Sequence, residues 1–226
     1  NSNFKIILVD NESDNKKVKN FKYRSEIKII QNKKNEGFSK ANNIGIDYAF
    51  KNNYDYTVLI NNDTIVEKNL IEVLLKTAQA KNFSVVQPLI LNHNGNEIWN
   101  AGGRINYFFG NFITRKKLGN SLNSSLELTE WFTGCCCLFK TKIFKDIGKL
   151  DERFFAYYED VDFSLRLKKY GYKIGFTSKT QIYHYESFSS ISNNSKGGKL
   201  SPYVHYLNIR NHILILKKHS DLFNSF

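Results

Sequence analysis

Apolar and polar residues fall along the chain in blocks whose period switches between that of a strand and that of a helix. Phe4 to Val9 is an apolar run broken only by Lys5 and closed by Asp10-Asn11. This is the pattern of a strand buried on both faces that opens into a polar loop. Ile27, Ile29 and Ile30 mark a second strand, Tyr56 to Ile60 a third that stops at Asn61-Asn62-Asp63, and Val85 to Ile90 a fourth. Between them the period lengthens. Ser39 reads as the N-cap of a helix with Ala41, Ile44, Tyr48 and Ala49 on one face. Lys68 to Lys81 reads as a helix turning Leu70, Ile71, Leu74, Leu75 and Ala78 to the core. Strands alternating with helices predict an α/β fold, a mostly parallel central sheet flanked by helices.

The pattern is looser beyond residue 90. Residues 91–130 are rich in Asn, Gly and Ser, carry the basic cluster Arg115-Lys116-Lys117, and read as loops and short strands over the sheet. Trp131 to Phe139 reads as a strand, followed by a helix from about Glu159 to Gly171 and short strands at Lys173–Thr177 and Gln181–Tyr185. Ser192 to Gly198 reads as a mobile loop. Ser201-Pro202 opens a last helix that ends at Lys217-Lys218-His219, with Tyr206, Leu207, Ile213 and Leu214 on one side.

Composition narrows the class. The chain of 226 residues is long enough to bury a full core, and 41% hydrophobic with 24% charged residues is ordinary for a globular protein. No apolar run reaches the roughly 18 residues of a membrane span. Cys135, Cys136 and Cys137 are consecutive, so on a strand they point to alternate faces and suit burial in a reducing compartment rather than a disulfide or zinc framework. The net charge of +12 admits nucleic acid, an anionic membrane surface or a phosphorylated substrate as partner, and does not choose among them. The chain contains no Met, which reads as an excised fragment or a trimmed start.

In open α/β sheets ligands bind beyond the carboxyl ends of strands. Two oxygen-bearing clusters stand at such ends, Asp10-Asn11 and Asn61-Asn62-Asp63. Hard divalent cations take oxygen ligands, and one carboxylate suffices where substrate phosphates supply the rest; the same residues also suit a plain turn. Tyr157-Tyr158-Glu159-Asp160-Val161-Asp162 sets carboxylates at a helix start beside aromatic rings. There Asp160 suits a general base, and equally the cluster suits an ordinary dipole-stabilised helix start. His184, between two tyrosines, fits a structural histidine or a ligand.

Taken in order, these segments resemble a known family. The series is Val9-Asp10-Asn11-x-Ser13-Asp14, then Asn35-x-Gly37-Phe38-x-x-x-Asn42-Asn43-x-Gly45, then Leu59-Ile60-Asn61-Asn62-Asp63-Thr64. Thr133-Gly134-Cys135, Phe154 to Asp162, Arg166 with Gly171-Tyr172, and Tyr206-x-x-x-Arg210-Asn211 follow. Together they resemble the inverting GT-A glycosyltransferases of family 2, and more narrowly a rhamnosyltransferase and galactofuranosyltransferase-like branch.

The resemblance implies an enzyme that moves a sugar from a UDP- or dTDP-linked donor, rhamnose being the leading candidate, to a glycan or lipid-linked acceptor. It implies Mn²⁺ or Mg²⁺ as cofactor, with Asp63 and His184 as metal ligands and Asp160 as catalytic base. Asp10, Asn11, Asn42, Asn61 and Asn62 would meet the nucleotide, and Glu159 and Trp131 the acceptor. It further implies one domain over 1–226: a nucleotide-binding half at 1–90, an acceptor and catalytic half at 91–200, and a C-terminal helix at 201–226. The expected location is cytoplasmic, with peripheral contact of the last helix on the inner membrane face and no nucleic-acid partner. Two departures stand out: Asn61 replaces an Asp, and the family's usual first strand and helix do not precede Phe4. A non-catalytic nucleotide-sugar-binding or scaffold domain is the alternative.

Overall fold

The computed structural model describes residues 4–13, 27–118, 126–185 and 201–223; Asp14 and the Ser192–Gly198 segment lie outside them. The first four strands form as the apolar runs predict: β1 Ile6–Asp10, β2 Ile27–Gln31, β3 Tyr56–Ile60 and, after the short β4 Thr64–Val66, β5 Val85–Asn92. Helix α1 spans Gly37–Lys51 and α2 spans Leu70–Lys81. The middle of the chain gives β6 Ile98–Asn100, β7 Gly103–Asn106, β8 Asn111–Thr114 and β9 Leu126–Thr129. Then come β10 Cys136–Lys140, α3 Ile143–Ile147, α4 Glu159–Lys169, β11 Ile174–His184 and α5 Pro202–Lys218.

The central sheet is mixed, not mostly parallel. It runs β3-β10-β5-β11-β4, with β6 on β5 and β9 on β11. Only the β5–β11 pair is parallel; β10 lies antiparallel to both β3 and β5. Hydropathy reports burial and not direction, so the reversal of β10 was invisible in the sequence.

Other boundaries shift for local reasons. Ser39 is inside α1 and fully buried, not its cap; the helix opens at Gly37, whose φ of +83° is costly for other residues. A Cβ there would lie 2.5 Å from the Phe155 ring. The fully buried face of α1 is Ser39, Asn43, Ile46 and Ala49, because Ala41 and Tyr48 turn toward an open cleft. The strand expected from Trp131 begins only at Cys136. The two short strands expected after residue 173 are one strand, with an irregularity between Thr177 and Gln181. On α5, Tyr206 and Ile213 are exposed while Leu207 is buried, so they do not share one side.

Two apolar layers clamp the sheet. Alternating residues of β10 supply both: Cys137 and Phe139 join Phe132, Phe144, Phe163 and Leu167 under α3 and α4, while Cys136 and Leu138 join Leu70, Leu74, Ile90 and Ile182 under α2. All three cysteines are free and buried, and burial pushes the Cys136 thiol up to about 12.

The parallel pair β1–β2 stands apart from this sheet. Among the described residues β1 pairs with β2 alone and β3 with β10 alone. Between β1 and β3 runs a cleft of roughly 2690 Å³, flanked by α1 and α2. Its apolar lining is unusually open, with Ile6 and Ile60 each 45% exposed.

Candidate active site

Each residue to which the sequence assigned a catalytic, metal, nucleotide or acceptor role lines this one cleft: Asp10, Asn11, Asn42, Asn61, Asn62, Asp63, Trp131, Glu159, Asp160 and His184. Strand ends deliver most of them. Asp10 closes β1, Asn61 to Asp63 follow β3, and His184 closes β11.

Asp10 is 5% exposed. Its Oδ1 accepts from the Ser13 N–H at 2.9 Å and its Oδ2 from Gln31 Nε2 at 3.2 Å. Burial alone would raise its pKa, but the bonds from Ser13 and Gln31 outweigh it and hold the carboxyl below its usual range. Asn11 is a staple: Nδ2 donates to Asn35 Oδ1 (2.8 Å), and Oδ1 accepts from Asn32 Nδ2 (3.1 Å) and the Glu36 N–H (2.9 Å). Asn42 Nδ2 donates to Phe38 O within α1. Its neighbour Asn43 points the other way, donating to Leu150 O and accepting from the Leu150 N–H, and ties α1 to the loop before the acidic motif.

β4 runs antiparallel to β11, setting Thr64 opposite His184, and the Tyr185 N–H donates to Asp63 O at 2.9 Å. This register brings Asp63 Oδ1 to 3.3 Å from His184 Nε2. His184 is 5% exposed, and neither ring nitrogen makes a hydrogen bond. Trp99, which sequence reasoning missed, sets its ring edge-on to His184 with centroids 4.5 Å apart. Among the described residues no group of three or more His, Cys, Asp or Glu is placed to hold a metal. The Asp63–His184 pair brings one carboxylate and one imidazole together at this point of the cleft.

The acidic motif is held by its backbone. Phe155 (φ +65°, ψ −65°) centres a γ-turn, with the Ala156 N–H donating to Phe154 O at 2.8 Å. Tyr157 and Tyr158 also have φ near +70°. Such conformations persist only where the surroundings impose them, and here α5 does so. Asn211, fully buried, donates its amide to Phe154 O (3.0 Å), Ala156 O (2.8 Å) and Tyr157 O (2.7 Å), while Arg210 donates to Arg153 O and Phe154 O. The Tyr158 ring stacks on His212.

Asp160 then enters the first turn of α4, where the helix dipole favours an anion. Its Oδ2 accepts from the Gly134 N–H at 2.9 Å and its Oδ1 from the Val161 N–H at 2.8 Å. Burial nevertheless raises its pKa above the usual range, against those bonds. Glu159, 4% exposed, is raised further, by burial and then by the charge of Asp160. Thr133 is fixed by its N–H to Gln87 Oε1 (2.8 Å), and Gln87 in turn donates to Asn100. Trp131 packs on Gly103, where a Cβ would meet its Nε1 at 1.9 Å. Behind the motif, Asp162 is fully buried against Arg166 Nε (2.9 Å), Lys218 Nζ (2.7 Å) and His219 Nε2 (2.8 Å). The sequence marked Gly134 and Asn211 as motif members without showing what they hold; only the folded backbone reveals it.

The model of Glycosyl transferase family 2 matches residues 1–148. The chain is 28% identical over 213 residues to the low-salt glycan biosynthesis hexosyltransferase Agl10 of Haloferax volcanii, covering 92% of this chain and 66% of that protein. It is 21% identical over 222 residues to the dTDP-rhamnosyl transferase RfbF of Shigella flexneri, covering 94% and 71%. Among solved structures, GalNAc-T7 with UDP, GalNAc and Mn²⁺ superposes with a TM-score of 0.69 at 14% identity, over 94% of this chain and 41% of that one. S. aureus TarS 1-349 in complex with UDP-GlcNAc gives 0.59 at 15% identity, over 94% and 57%. These likenesses show an α/β, GT-A-like fold. The chain spans about two thirds of the length of these curated relatives and about half that of the solved chains.

Proposed function

The chain belongs to glycosyl transferase family 2, and we propose that it transfers a sugar from a nucleoside-diphosphate donor to a hydroxyl of a glycan or lipid-linked acceptor, inverting the anomeric carbon. The observation that carries this reading is the meeting of Asp63, His184 and Asp160 on one cleft from three distant segments. The names of the two curated relatives support a hexose-type sugar and dTDP-rhamnose as first candidates.

Asp160 takes the acceptor hydroxyl proton as that oxygen attacks the anomeric carbon and the bond to the diphosphate breaks. The Gly134 and Val161 N–H groups aim its carboxylate, and its raised pKa makes it a better base than an exposed aspartate. Asp10 and Asn61 lie at the strand ends where base and ribose would sit, with Asn11, Asn42 and Asn62 along the same side. Trp131 and Glu159, on the lining of the same cleft, would meet the acceptor. Asp63 and His184 would hold Mn²⁺ or Mg²⁺, a role that fits a buried imidazole with neither nitrogen hydrogen-bonded. When bound, the cation supplies positive charge to the departing diphosphate.

A donor screen tests the proposal, reading nucleotide release and product anomer together for UDP- and dTDP-sugars with Mn²⁺. One observation favours a second reading, a nucleotide-sugar-binding domain without catalysis: among the described residues no strand joins β1 to β3 on the donor side. Donor binding by calorimetry without nucleotide release on any acceptor decides for that alternative. We further propose that a parallel strand between β1 and β3 completes the donor pocket in the active form. Within the described residues no helix is long and apolar enough to cross a membrane, and a cytoplasmic site on the inner membrane face belongs to the same proposal.

A further inference from the structure

Helix α5 is apolar on two opposite sides. Val204, Leu207, Asn211 and Ile215 face inward and are buried. About half a turn away, Tyr206 (56% exposed), Ile209 (65%) and Ile213 (61%) form an outward stripe ending at exposed Lys217. A solvated helix face of this kind ordinarily carries charges, and a contiguous apolar patch marks an interaction surface.

The stripe continues onto a second element. The turn between β7 and β8 presents Phe108 and Phe109, 60% and 63% exposed, their rings edge-on to each other. It is seated on α5: His212 Nε2 lies 2.8 Å from Gly110 O, and a Cβ on Gly110 would lie 2.4 Å from Leu216. Ile113, on the outward face of this hairpin opposite Arg104, is 54% exposed.

Charge identifies the occupant. Residues 98–118 and 201–218, which supply this surface, contain no Asp or Glu, and their exposed cations are Arg104 opposite Ile113, Lys116, Lys117 and Lys217; Arg210 and Lys218 turn inward to the Phe154 carbonyl and Asp162. Exposed aromatic rings and aliphatics on segments whose exposed charges are all cationic suit the headgroup region of an anionic bilayer. We propose that the outer face of α5 and the Phe108-Phe109 turn dock this protein on an anionic membrane surface. The proposal rests on and sharpens the membrane-face placement made above, and would set α5 on the membrane with its inner face gripping the loop that carries Asp160.

Vesicle flotation of the whole chain tests it, comparing phosphatidylcholine with mixtures containing phosphatidylglycerol. Binding to the anionic vesicles, weakened by added salt, is expected. The pairs Phe108→Ser with Phe109→Ser, and Ile209→Ser with Ile213→Ser, each lower partitioning on the order of tenfold. These side chains are exposed, so thermal melts should match the parent. Equal binding to both vesicle types, no binding, or variants that float like the parent would overturn the proposal. So would sedimentation showing that the stripe instead closes a dimer that the Ile pair dissolves.

Discussion

The two walls of the cleft are built differently. The wall carrying Asp160 is fixed from behind: two backbone N–H groups aim its carboxylate, Asn211 clasps the strained turn before it, and the buried Asp162 cluster ties α4 to the end of α5. The wall carrying Asp10 and Asn61 rests on strands that share no hydrogen bonds across the gap, with Ile6 and Ile60 half open. Thus the wall carrying Asp160 is held by its own hydrogen bonds while the wall carrying Asp10 and Asn61 has none across the gap, and on the proposed reading the base is preorganised and the donor side is not.

The largest test of that contrast is Asp160→Asn. It should lower transfer by about 10²–10⁴-fold in a steady-state assay while leaving nucleotide affinity by calorimetry unchanged. The raised pKa of Asp160 also predicts that activity in the parent falls, as pH drops, at a value above the ordinary 3.8. A comparable loss of nucleotide affinity would mean the two walls are not separable.

Next comes Asp162→Asn. It takes the carboxylate from part-buried Arg166 and buried His219, while Lys218 keeps Asp151 at 2.7 Å, and should cost about 3 kcal/mol in chemical denaturation. Burial tends to raise the Asp162 pKa, yet His219, Arg166 and Lys218 hold it below 3.8. Its stabilising share is therefore full above that value and is lost as pH falls through the lower folded pKa. Asn211→Ala should cost roughly 1–3 kcal/mol by taking the amide donor from Ala156 O and Tyr157 O, and should depress turnover more than nucleotide binding.

On the open wall, Ile6→Ser should change stability by less than about 0.5 kcal/mol, as at a surface position. A loss of several times that amount in the protein isolated from its source would show that a strand occupies the gap there. The smallest effect is expected for Glu159→Gln. The folded pKa of Glu159 lies above 4.5, so its contribution is intact below that pH and is lost as pH rises through the folded value. Thermal midpoints of the Gln variant should lack that decline.

Much of this contrast was legible in the sequence, but unevenly. The apolar runs of β1, β2, β3 and β5 ended where the polar clusters begin, so Asp10 and Asn61 to Asp63 could be placed at the rim of the sheet. The half-exposed face of α1, Ala41 and Tyr48, looked like core because apolarity does not distinguish a packed face from one lining a cleft. Nor could Asn211 be read: an amide in a helix looks like a polar surface position until its three carbonyl partners are seen. The antiparallel course of β10 and the joining of residues 174–184 into one strand depend on neighbours far away along the chain.

The grip of Asn211 has a practical corollary for anyone cutting or grafting this fold. The shape of the segment ahead of Asp160 is dictated from more than fifty residues downstream. A boundary drawn soon after β11, where the sheet is already finished, would remove the mould in which that segment sets. The smallest transplantable unit therefore extends through His219, and swapped versions must exchange the tail along with the acidic motif.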